Sequence, residues 1–176
     1  MKRPTTICAL TENRPGVLAR IAGLFSRRAF NLLSVTAEQT TTPDLYCITL
    51  VVMENDAGVE QVCKQLWKLI DVEQVVTLSP RPAVERQLVL VKVKAPNGQR
   101  ARVTQEAEVF HARVLHVGAE TVTLELAGDP AQISDFLKAL EPFGVLEVIR
   151  SGKISLLRSD ETTFEPRRHG ERLVKL

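Results

Sequence analysis

Between Thr11 and Thr41 the side chains able to do chemistry are few, and their arrangement suits capture rather than catalysis. Asn13, Pro15 and Gly16 stand just ahead of a run in which Leu18, Ile21, Ala22, Phe25 and Ala29 recur at the spacing of one helical face, with Arg20, Arg27 and Arg28 off it. A helix opening at Gly16 leaves its first backbone N–H groups without partners, and a residue lacking Cβ lets a ligand approach them. Main chain and helix dipole together can hold a small carboxylate there. The same turn and helix also occur in domains that bind nothing, so spacing alone leaves both readings open.

The remaining reactive side chains do not assemble. His111, His116 and His169 are scattered, without Cys or carboxylate neighbours at ligand spacing. Cys8, Cys47 and Cys63 are odd in number, lie in apolar segments and form no Cys-x-x-Cys pair; they read as reduced core residues. A phosphate-cradling Gly-rich loop and a Ser, His and Asp set with a nucleophile signature are both missing. The expectation is a chain with no catalytic residues, no metal site and no cofactor of its own.

The elements that must position Gly16 follow from periodicity. A strand is expected at Thr6 to Leu10, then the helix, strands around Leu32 to Gln39 and at Tyr46 to Met53, and a second helix burying Val59, Val62, Cys63, Leu66, Leu69 and Ile70. Val72 to Leu78 closes the series, and Ser79-Pro80-Arg81-Pro82 punctuates it. The order strand, helix, strand, strand, helix, strand then returns: Leu88 to Val93, a weak helix from Gln99 to Phe110, Arg113 to Val117, Thr121 to Leu126, a helix from Ala131 to Leu140, and Val145 to Ile149. Asp129-Pro130 is a strong start for the last helix, whose stripe is Ile133, Phe136, Leu137 and Leu140. The expected class is α+β, two ferredoxin-like βαββαβ units, each with two helices on one face of a four-stranded antiparallel sheet. Residues 1–79 form the first unit, 80–85 a linker, 86–158 the second, and 159–176 a flexible polar tail. Exposed sheet edges invite pairing, so a homodimer is expected.

At 176 residues two small domains fit, and 44% hydrophobic with 25% charged residues is enough for real cores. A net charge of +2 makes no case for nucleic acid or a membrane surface, and Arg167, Arg168, Arg172 and Lys175 sit in the tail. No apolar run approaches the roughly 20 residues of a membrane span, and Met-Lys-Arg-Pro-Thr has no signal-peptide core. A cytoplasmic protein is expected.

Asn13, Pro15-Gly16-Val17-Leu18 and Ile21 resemble the turn and first helix of an ACT domain, the small amino-acid-sensing module. Gly23-Leu24-Phe25-Ser26-Arg27-Arg28, Asn31 and Lys64-Gln65-Leu66-Trp67-Lys68-Leu69-Ile70-Asp71-Val72 narrow the likeness to the regulatory (small) subunit of acetolactate synthase, also called acetohydroxyacid synthase. Glu85-Arg86-Gln87-Leu88-Val89-Leu90-Val91-Lys92-Val93, Leu126-Ala127-Gly128, Arg150-Ser151-Gly152 and Leu157-Arg158 carry it through the second half, so that it spans about residues 5 to 158. The resemblance implies a non-catalytic chain that binds a separate large subunit carrying thiamine diphosphate, Mg2+ and FAD. That subunit condenses pyruvate with pyruvate or 2-oxobutyrate; the small one raises its activity and confers feedback inhibition by branched-chain amino acids.

The resemblance also implies an effector site between two ACT domains, built from the turn before the first helix of one subunit and the second strand of its neighbour. Residue by residue this points to Asn13, Gly16, Val17, Leu18, Asn31 and Leu32. Backbone N–H groups near Gly16, Val17 and Leu18 would take the carboxylate, Asn13 and Asn31 the ammonium, and Val17, Leu18 and Leu32 the branched side chain. The alternative roles are structural: Asn13 as a helix cap, Leu18 and Leu32 as core, Asn31 as a strand opener. One departure stands out, since Leu33 occupies a position that is commonly acidic or polar in the family. A stand-alone ACT-domain regulator without an enzyme partner is the second functional expectation.

Overall fold

The computed structural model describes residues 1–96 and 98–165. The first half runs β1 (Arg3–Glu12), α1 (Val17–Arg28), β2 (Leu32–Gln39), β3 (Leu45–Glu54), α2 (Asp56–Leu66) and β4 (Val72–Thr77). Its sheet has the order β2-β3-β1-β4, antiparallel throughout. The second half repeats the plan with β5 (Ala83–Lys94), α3 (Arg100–Val109), β6 (Arg113–Val117), β7 (Thr121–Gly128), α4 (Pro130–Leu140) and β8 (Val145–Arg150), in the order β6-β7-β5-β8. A short β9 (Ile154–Leu157), which sequence periodicity does not announce, also pairs with β5. Two ferredoxin-like units are therefore present, as the pattern predicts.

Each unit has its own core between helices and sheet. Ile7, Ile48, Leu50 and Val52 meet Val17, Ile21, Leu24 and Phe25 of α1 and Val59, Val62 and Leu66 of α2. Val89, Val91, Val93, Val122, Leu124 and Leu126 meet Val103 and Ala107 of α3 and Ile133, Phe136 and Leu140 of α4. The helices start where local chemistry favours it. The Asn55 side chain accepts the Gly58 N–H at 2.8 Å, and Asp129 accepts the Gln132 N–H at 2.8 Å with Pro130 behind it.

Two expectations about helices are corrected. The buried stripe of α1 is Val17, Ile21, Leu24 and Phe25, while Leu18 is 47% exposed and Ala22 and Ala29 face solvent. Both stripes have helical period; the observed rotation buries Leu24 instead of the Ala22 methyl, and a fully buried leucine is worth about 1.5–3 kcal/mol. The second helix stops at Leu66 rather than reaching Ile70, which is 69% exposed. Lys68 and Leu69 donate to carbonyls three residues back, Gln65 at 3.2 Å and Leu66 at 3.0 Å, which tightens the chain out of the α-helix.

The division of the chain also differs from expectation. One compact unit comprises Met1–Val84 together with the segment that begins at Ile154; the other is Glu85–Lys153. The expected linker is already strand from Ala83, and the expected tail does not begin loosely at Ser159. Arg158 donates its N–H to Pro82 at 2.9 Å, the Leu157 N–H reaches Thr163 Oγ1 at 3.1 Å, and Thr163 is buried. Leu157 and Phe164 pack with Cys8, Val76, Leu78 and Ala83, a cluster with no helical member, which covers the face of the first sheet turned away from its helices. Residues 166–176, with His169 and the basic cluster, lie outside the described residues.

None of the three cysteines is in a disulfide; Cys8 is buried and the others are half-buried. The hydrogen bond from Cys8 holds the Cys47 thiol below its usual range against the opposing effect of burial, whereas burial pushes Cys63 up.

Candidate functional site

The turn between β1 and α1 is pinned by its main chain. Glu12 donates to the Asp71 carbonyl at 2.8 Å, Asn13 to Asp44 at 2.8 Å, Arg14 to Glu12 at 3.0 Å and Val17 to Arg14 at 3.3 Å. Gly16 then takes φ +85°, a conformation that side-chain-bearing residues rarely adopt, and serves as the N-cap. No side chain caps α1 among the described residues, and the Arg20 N–H closes the first turn onto the Gly16 carbonyl at 2.9 Å. With the Val17 N–H taken by Arg14, the Leu18 and Ala19 N–H groups are those a first helical turn leaves without an intrahelical partner, beside an exposed Leu18 side chain, and an anion could use them.

Each predicted residue has a definite place. Asn13 is exposed and is not a cap; its Nδ2 donates to the Pro43 carbonyl at 3.3 Å, a carbonyl that Gln39 Nε2 also reaches at 3.0 Å. The Val17 N–H is engaged by Arg14 and its side chain is core, so its part in a site is to fix the turn. Leu18 is surface, not core. Asn31 is exposed with its carbonyl accepting the Met53 N–H at 3.1 Å, and Leu32 is partly buried against the helix-side core.

These six do not form one cluster within a chain. Asn13, Gly16, Val17 and Leu18 lie at the start of α1 and Asn31 and Leu32 beyond its end, and a 12-residue helix is about 18 Å long. A ligand of amino-acid size touches one group or the other. Next to the second group, Leu33 occupies a break in pairing: Leu32 faces Val52 while Ser34 faces Val51, so Leu33 is the extra residue of a bulge on the edge strand. Leu33 and Val35 are both exposed there.

Two residues that sequence reasoning passes over complete the turn. Arg20 Nε donates to Asp71 Oδ2 at 2.7 Å, and the Asp71 side chain is only 4% exposed. The guanidinium also lies against the turn, where a Cβ added to Gly16 would meet Arg20 Nη1 at 3.1 Å. Arg20 therefore joins the helix start to the corner before β4, and adds a cation beside the opening N–H groups. Asp71 carried a readable signal: a carboxylate between Leu69-Ile70 and Val72 falls in an apolar corner, where charges are kept only when paired. His111 and His116 are exposed, and no group of three or more His, Cys, Asp or Glu poised for a metal occurs among the described residues. No helix among them is long and apolar enough to cross a membrane.

Residues 7–74 match a family model described as the AHAS small subunit-like ACT domain, and residues 86–159 one described as the small subunit of acetolactate synthase. The acetolactate synthase small subunit of Mycobacterium leprae is 44% identical over 153 residues, 87% of this chain and 90% of its own length. The probable acetolactate synthase small subunit of Methanothermobacter thermautotrophicus is 40% identical over 157 residues, 89% of this chain and 94% of its own. Among solved structures, the acetolactate synthase small subunit of Thermotoga maritima superposes with a TM-score of 0.80 at 30% identity, covering 90% of this chain and 99% of that one.

Proposed function

The chain belongs to the acetolactate synthase small-subunit family, and from that premise we propose that it binds a separate catalytic subunit, raises its activity and makes it subject to inhibition by a branched-chain amino acid. The chemistry is assigned to the partner, with its thiamine diphosphate, Mg2+ and FAD; this chain contributes recognition. The effector is held between two copies, its carboxylate at the Gly16 turn of one and its remaining groups against Asn31 and Leu32 of the other.

The observation that carries the sensing half is the placement of the two residue groups at opposite ends of α1. Groups about 18 Å apart along a 12-residue helix serve one small ligand only if a second chain brings the missing half. A homodimer is thus part of the proposal, with β2 and its exposed Leu33 and Val35 as an edge available for pairing. A ligand that prefers one arrangement of the two chains shifts the population of that arrangement, which is what inhibition at a distance requires.

The test is acetolactate formation by the cognate catalytic subunit, alone and with this chain, across titrations of valine, leucine and isoleucine. Activation with inhibition by one of them supports the proposal and names the effector. Activation without inhibition places the fault at the sensor, where Leu33 departs from the family. No effect on an active catalytic subunit overturns the proposal in favour of the stand-alone regulator. Gly16→Asp is expected to abolish inhibition and spare activation: its carboxylate competes for the anion position and its backbone is strained at φ +85°. Loss of both effects with a misfolded dimer counts against that separation.

A further inference from the structure

We propose that residues 154–165 form a strap that transmits the effector signal from the Gly16 turn, with Gln74 as the positioning residue that locks it. This inference rests on the effector reading above and deepens it. A short path connects the two places. The Asp71 carbonyl takes the Glu12 N–H at 2.8 Å and its carboxylate takes Arg20 at 2.7 Å, so the corner before β4 is tied both to the turn and to the start of α1. Three residues on, Gln74 is 7% exposed and grips the far end of the strap with both halves of its amide: Nε2 donates to the Glu165 carbonyl at 2.9 Å, and Oε1 accepts the Glu165 N–H at 2.9 Å. One side chain thereby satisfies the donor and acceptor of a main-chain residue, as a neighbouring strand would.

The strap pairs with β5 over Ile154–Leu157 and is held at points beyond it. Leu157 and Phe164 are seated on Cys8, Val76 and Leu78, and Thr163 accepts the Leu157 N–H, while Trp67, Val75, Arg81, Glu161 and Thr162 line an open cleft of about 250 Å3 along its middle. A segment fastened through Gln74 beside an open cleft has two arrangements available, clamped and released, and a shift of β4 biases the choice. Trp67, the sole tryptophan of the chain, reports on it.

The experiment compares the full chain with Gln74→Ala and Glu165→Pro, the second of which takes the N–H out of the strap and alters no residue of β4. Three quantities are read: equilibrium dialysis of radiolabelled valine, leucine and isoleucine, the activity of the cognate catalytic subunit with each variant at saturating amino acid, and Trp67 emission of the chain alone with and without the amino acid. Both variants are expected to bind the inhibitory amino acid and to activate normally, while the ratio of uninhibited activity to activity at saturating amino acid falls about tenfold, the size of an ordinary allosteric coupling, and the Trp67 shift that the amino acid induces disappears. Parental inhibition in Glu165→Pro overturns the strap and leaves the effector site standing. Failure of the parent itself to bind effector overturns both.

Discussion

The central strands of the two sheets, β1 and β5, occupy the same position in the same fold and are buried differently. In β1 every residue from Thr5 to Leu10 is buried, whereas in β5 Val89, Val91 and Val93 are buried and the residues between them, Leu90 and Lys92, are not, with Leu88 and Lys94 exposed outside them. A strand buried on both faces reads as a continuous apolar or small run, and one buried on a single face alternates. The difference lies in what covers the helix-free side. In the first unit Leu157 and Phe164 cover it; in the second, β5 shows that side its Lys92, paired with Glu147 at 3.7 Å. Equal topology therefore does not mean equal autonomy: Glu85–Lys153 is contiguous in the chain, while the first unit needs a segment from beyond it.

Truncating the largest fully buried side chain is the most forceful way to break the comparison. Phe136→Ala is expected to cost the second unit about 3–5 kcal/mol, moving its far-UV transition while Trp67 fluorescence, which belongs to the first unit, keeps its midpoint. A common shift of both signals makes the two units one cooperative body. Arg20→Met acts on the other side: the buried Asp71 carboxylate loses its partner, at about 3 kcal/mol for a broken pair with one member buried. Urea titration followed by Trp67 measures it, and an unchanged midpoint rules out Arg20 as the tie between α1 and β4. The smallest effect sharpens the contrast between helix starts. Asp129→Ala is expected to lower the stability of the second unit by about 1 kcal/mol, seen as a lower midpoint in circular dichroism, because Gln132 loses its acceptor; α1, opened by a glycine, has no such cap to lose.

Much of this was readable in the residues. The bounds of β2 and β6 coincide with those expected from the sequence, and Asp129-Pro130 marks the start of α4 correctly because capping is local chemistry. The rotation of α1 was not readable: Leu18, Ile21, Ala22 and Phe25 keep helical spacing as well as Val17, Ile21, Leu24 and Phe25 do, and packing decides between them. Nor was the strap, since Ser159 to Glu165 is polar and its burial comes from partners more than 80 residues away in sequence, as the Gln74 to Glu165 separation of 91 shows. At the candidate site type and spacing single out Gly16 as the opening of α1, which its φ of +85° bears out, while Arg20 reads only as a residue off the helical stripe because its partner lies 51 residues on.

The strap also dictates an order of events at the ribosome. Residues 85–153 are complete before Ile154 is made, so the second unit can finish folding while Cys8, Val76 and Leu78 of the first still lack their cover. At roughly 5–20 residues per second the first sheet waits several seconds with an apolar face open to water. The part of the chain made first is the last to be sealed, and for that interval it is the part a chaperone has most reason to hold.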